Sequence, residues 1–134
     1  MLRAVLLFSL LWSFAGQAFA DGHVKRIIST SETVLGNKIV YPEGEATVTA
    51  FEFTVPVGAP VAPHTHSFPV LLIIQQGEVT LDYKDGKSRV YRPGDAFIED
   101  VGLVHTATNT GDVPIKAIVV AIGVEGQKIM TPVQ

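Results

Sequence analysis

The chain contains no cysteine, which excludes disulfide bonds and thiolate metal ligands. It also lacks a basic excess: the formal net charge is −3, so nothing draws it at long range to nucleic acid or to an anionic lipid surface. No segment sustains an apolar period of 3.6 residues, which argues against a helical fold. Phosphate-binding glycine loops are missing, and Ser67 and Ser88 stand in no nucleophile elbow, so nucleotide chemistry and serine or cysteine triads are set aside. No linker or internal repeat marks a second domain.

The first apolar run is short. Arg3 precedes Ala4–Trp12, and Phe14, Gly16 and the small-x-small triplet Ala18-Phe19-Ala20 follow. This pattern predicts a secretory signal peptide over residues 1–20, because the run falls below the ~18 residues of a membrane-spanning helix. Cleavage is expected after Ala20, at a periplasmic or secreted destination. Loss of Arg3 would move the net charge from −3 to −4, and no membrane partner is expected once the signal is removed.

Residues 47–55 are rich in β-branched and aromatic side chains, and strand-like runs recur at Val70–Gln75, Glu78–Tyr83, Ser88–Tyr91, Ala96–Ile98 and Ile115–Ile122. Glycine, proline or aspartate bounds each run. The Lys84-Asp85-Gly86-Lys87 segment is suited to a tight turn and predicts a hairpin between Val79–Tyr83 and Ser88–Tyr91. Many short strands call for a sandwich or a closed barrel, since closure removes exposed edges. The expected architecture is all-β, a single jelly-roll barrel over 46–125. An N-terminal arm over 21–45 and a C-terminal tail over 126–134 flank it.

Within this frame His64 and His66 are two residues apart, so in an extended strand both imidazoles face the same way. A third nitrogen could come from His105 once the intervening strands wind back. Three neutral imidazoles suit Fe, Mn, Zn, Ni or Cu. The spacings Gly58-x5-His64-x-His66, Gly77, and Gly94-x5-Asp100-x-Gly102-x2-His105-x3-Asn109 together resemble the two motifs of the cupin superfamily. That resemblance implies a jelly-roll barrel with His64, His66 and His105 as ligands to a divalent metal ion. It also implies a homodimer, for which the edge strand near 47–55 is the natural contact.

Two positions depart from the family pattern. Val70 stands where a glutamate ligand is usual, and Asp100 where proline is usual. Three neutral imidazoles alone would leave the charge of the ion uncompensated and favour an anionic or bidentate ligand. Phe97 and Glu99 alternate on the strand leading to His105; if the Phe97 face points inward, Glu99 enters the barrel as ligand, supporting partner or general base, and otherwise it meets solvent. Phe51, Phe53, Phe68, Leu72, Ile74 and Phe97 are expected to line an apolar cavity. Signal removal would also expose Asp21-Gly22-His23, an arrangement able to chelate Cu(II) or Ni(II) in a square plane; the competing reading is a stray histidine in a terminus. The function expected is binding or conversion of a small anionic organic molecule, as a dioxygenase, isomerase or lyase. The alternative is a non-catalytic ligand- or metal-binding module of the cell envelope.

Overall fold

The computed structural model describes residues 22–133. The predicted signal peptide and Asp21 lie outside the described residues, and with them the completeness of the Asp21-Gly22-His23 chelate.

The described residues form strands and loops with no helix. Nine strands run in chain order: β1 (Ala46–Val55), β2 (Pro60–Thr65), β3 (Val70–Gln76), β4 (Val79–Tyr83), β5 (Ser88–Tyr91), β6 (Ala96–Glu99), β7 (His105–Asn109), β8 (Ile115–Val124) and β9 (Thr131–Pro132). They make two antiparallel sheets, ordered β1-β8-β3-β6 and β5-β4-β7-β2-β9. The core between the sheets comes from period-2 alternation. In β8, Ile115, Ala117, Val119 and Ala121 are buried, and in β4, Val79, Leu81 and Tyr83. Each fully buried aliphatic side chain, such as Ile74 or Leu81, stabilises the fold by about 1.5–3 kcal/mol.

The β4–β5 hairpin closes through the Gly86 N–H, which donates to the Tyr83 carbonyl at 3.0 Å. Gly77 joins β3 to β4 with φ +80, and a Cβ there would stand 2.9 Å from the backbone of Ile115. Both the left-handed conformation and the close approach require glycine.

Three strands carry no apolar alternation and were not legible as runs. β2 contains Pro60 and Pro63, and its register against β7 shifts between Val61 and His64, so the irregularity accommodates a residue without an N–H. β7 reads His-Thr-Ala-Thr-Asn because two of its inward positions, His105 and Asn109, are buried polar groups. β9 lies in the segment expected as a tail; it pairs with β2 through His64↔Pro132 and Thr65↔Thr131. Within residues 21–45, the turn around Thr33–Asn37 docks on the end of β6. The Val34 N–H donates to Ile98 O at 2.9 Å, and three groups of the turn reach Asp100.

Candidate metal centre

The parity of β6 decides where Glu99 goes. Phe97 is buried, so Glu99, two residues on, shares its inward face and is 5% exposed. In the antiparallel β3–β6 pair, Leu72 stands opposite Phe97 and Val70 opposite Glu99. Opposed residues project to the same face with Cβ atoms about 4.5–5.5 Å apart. The carboxylate absent at residue 70 therefore arrives from the neighbouring strand at the same level of the barrel.

His64 near the end of β2, His66 just beyond it, Glu99 and His105 at the start of β7 are all buried. One ligand atom from each falls within 4.8 Å of the others. Glu99 Oε2 is 2.8 Å from His66 Nε2, and Oε1 is 3.3 Å from His105 Nε2. Each ring is fixed by its other nitrogen. His64 Nδ1 meets Ala62 O at 2.8 Å, His66 Nδ1 meets Ile129 O at 2.5 Å, and His105 Nδ1 meets Leu103 O at 3.0 Å. A carbonyl can only accept, so Nδ1 carries the proton, and in the neutral ring Nε2 offers a lone pair to the common centre.

That arrangement calls for a cation. His66 Nε2 and His105 Nε2 are buried and have no hydrogen-bond partner. The Glu99 oxygens are near, yet off the direction in which a ring N–H would point. Lone pairs of imidazole and carboxylate facing one another in a dry site are costly unless a positive ion stands between them. Three nitrogens and one carboxylate, oriented by backbone carbonyls, are the donor set and outer support of a first-row divalent metal site. The residues present fit such an ion, and the net charge of ion plus ligands would be +1.

The titration behaviour follows the same geometry. Burial alone would raise the Glu99 carboxyl, but His105 and His66 at its oxygens outweigh that and hold it down at about 2. Burial alone would lower His105; its contact with Glu99 wins and raises it. His64 is lowered by burial, which its bond to Ala62 O only partly offsets.

The site opens on a cavity of about 230 Å³ between the sheets. Phe51, Phe53, Leu72, Ile74 and Phe97 line it. Phe68 does not: its ring is buried against Gly123, where an added Cβ would stand 2.7 Å from it. This is a correction to the expected lining, and its cause is the flat space that glycine leaves on β8.

Two polar residues of the motifs are structural. Asn109 donates to Val55 O at 3.0 Å and Val113 O at 2.9 Å and accepts from the Gly111 N–H at 3.0 Å, so the β7–β8 turn occupies it fully. Asp100 is completely buried. It accepts from Thr33 Oγ1, from Asn37 Nδ2 at 2.7 Å, from the Leu35 N–H at 3.1 Å and from Tyr83 OH at 2.8 Å. Tyr83 also packs near His105, ring centroids 5.4 Å apart. Its position where proline is usual was the sequence signal for Asp100, but the donors come from far along the chain.

Several solved structures share this architecture. The DMSP lyase DddQ from Ruegeria pomeroyi is 25% identical with a TM-score of 0.55, covering 63% of this chain and 42% of its own. The polyketide cyclase RemF from Streptomyces resistomycificus is 22% identical with a TM-score of 0.56, covering 72% of this chain and 68% of its own. An oxalate decarboxylase from Lactobacillus farciminis is 16% identical with a TM-score of 0.56, covering 65% of this chain and 27% of its own. The chain thus spans less than half the length of the lyase. No curated protein matches it in sequence. The cupin domain family matches residues 51–121, the stretch that carries His64, His66, Glu99 and His105, and the chain belongs to that family.

Proposed function

We propose that the protein is an exported metal-dependent cupin that binds a small organic molecule at His64, His66, Glu99 and His105 and transforms it there. The observation that carries this reading is the convergence of buried Nε2 atoms, those of His66 and His105 without a hydrogen-bond partner, and one carboxylate on a single point at the wall of an apolar cavity. A divalent ion held there supplies Lewis-acid or redox chemistry.

The rest is the work of the chain. His64, His66 and His105 hold the ion through Nε2, and the carbonyls of Ala62, Ile129 and Leu103 keep the rings turned toward it. Glu99 is ionised across the physiological range, as a ligand or, released from that role, as the proton acceptor for a bound molecule. The apolar walls exclude water and strengthen every electrostatic interaction at the ligand atoms. Similarity to a lyase, a cyclase and a decarboxylase supports small-molecule chemistry on this fold.

A non-catalytic binding module is the second reading. Its support is that, among the described residues, Glu99, His64 and His66 are the only titratable groups in the cavity wall: if all serve as ligands, none remains to move a proton. The leader pattern supports export, and the ten-residue outer strand β1 supports pairing of two copies.

The experiment is elemental mass spectrometry on tag-free protein beginning at Asp21, beside the His64→Ala/His66→Ala/His105→Ala variant. About one metal per chain, lost in the triple variant, is the expected result. A wild-type protein that holds no metal even after reconstitution would overturn the reading.

A further inference from the structure

The cavity wall narrows what can bind. Apart from His64, His66 and Glu99, every lining residue is apolar. Among the described residues, no lysine, arginine, hydroxyl or amide side chain reaches the space. The lining runs along β3 from Val70, opposite Glu99, to Ile74, four residues or about 13 Å of strand. Facing positions on β8 descend in step, Val119 beside Leu72 and Ala117 beside Ile74. The polar end is therefore at one level and the remainder of the space is hydrocarbon. Phe51 and Met130, both lining and both about two-fifths exposed, mark where it meets solvent.

We infer that the ligand of this site is a molecule with one monoanionic donor head and an uncharged apolar body. The inference rests on the metal reading above. Ion and protein ligands together carry +1, which one monoanionic head neutralises. A second carboxylate, or a cationic group at the other end of the molecule, would be buried against aliphatic and phenyl carbon with nothing to pair it. Size follows from the volume: a cavity of about 150 Å³ accepts benzene, so 230 Å³ holds about nine heavy atoms on the same scale. Ala117, beside Ile74, is the smallest lining residue on β8, and a larger side chain there would take up room that the tail needs.

The test is calorimetric titration of the cobalt(II)-reconstituted protein at pH 7 with hexanoate and with glutarate, of eight and nine heavy atoms, so that both are within the room available and only glutarate carries a second charged end. Hexanoate should bind at least a hundredfold more tightly; a ratio under tenfold would overturn the inference. Ala117→Leu should weaken hexanoate at least tenfold and acetate less than twofold, and equal losses for both would count against the placement of the tail. If that variant does not fold, the wild-type comparison still decides. Elemental analysis of the same samples separates the two levels. Absence of bound cobalt sinks the metal reading itself, whereas bound cobalt with glutarate held as tightly as hexanoate sinks only the ligand class.

Discussion

Glu99 and Asp100 are adjacent, both buried, and opposite in what surrounds them. Asp100 has four donors on its two oxygens, from Thr33, Leu35, Asn37 and Tyr83. Glu99 faces imidazole nitrogens whose ring protons are committed elsewhere. One carboxylate is complete within the protein and ties the Thr33–Asn37 turn to the barrel. The other becomes complete only with a proton or a metal ion between it and its neighbours. The lesson is that burial and charge alone do not mark a site; the decisive quantity is whether the protein itself satisfies the group.

The largest effect expected from breaking this contrast is on the side of Asp100. Asp100→Ala leaves several buried donors without an acceptor, at about 1–3 kcal/mol each, and should cost about 3 kcal/mol or more in urea denaturation of the metal-free protein. Metal content per folded chain should stay at the wild-type level; loss of metal together with stability would merge the two roles.

Next in size is the exchange of Glu99. Changing even supporting partners of metal ligands costs about 10–100-fold in affinity, so Glu99→Gln should weaken metal binding by about a hundredfold. Because Val70 and Glu99 are opposed in register, the double variant Val70→Glu/Glu99→Val should recover most of that loss. Competition with a chromogenic chelator measures both. No recovery in the double variant would mean that the two positions are not interchangeable at the metal.

The smallest effect is the pH profile of the metal-free protein. Glu99 is depressed from 4.5 to about 2, so its stabilisation is fully present above about 4.5 and is lost as pH falls toward 2. His105 is raised from 6.5, so its stabilisation is fully present below 6.5 and is lost as pH rises through the raised value. The contact should contribute most between pH 4.5 and 6.5, seen as a stability maximum in denaturation curves that Glu99→Gln abolishes. An unchanged profile in that variant would detach the pair from the pH dependence.

The tertiary structure also revises which of the expected features matter. The histidine spacing needed no structure, because a period of two places His64 and His66 on one face wherever the segment is extended. The same parity made Glu99 conditional on Phe97, and only packing resolved the condition. β2 and β7 were illegible because prolines and buried polar side chains replace the apolar alternation that marks a strand. The role of residues 126–133 was equally hidden: the acceptor for His66 is the Ile129 backbone carbonyl, and every residue type carries one.

What the sequence by itself determined is local. The absence of cysteine excluded thiolate metal ligands, alternation and turn residues set the β class, and the motif spacings placed three histidines in one barrel. What only the tertiary structure decided is non-local: the opposition of Val70 and Glu99 across 29 residues of chain, the four donors on Asp100, and the apolar wall that excludes a second charge. The physical reason is that strand register and burial arise from pairing between distant segments, and neither side chain type nor spacing encodes which segments will pair.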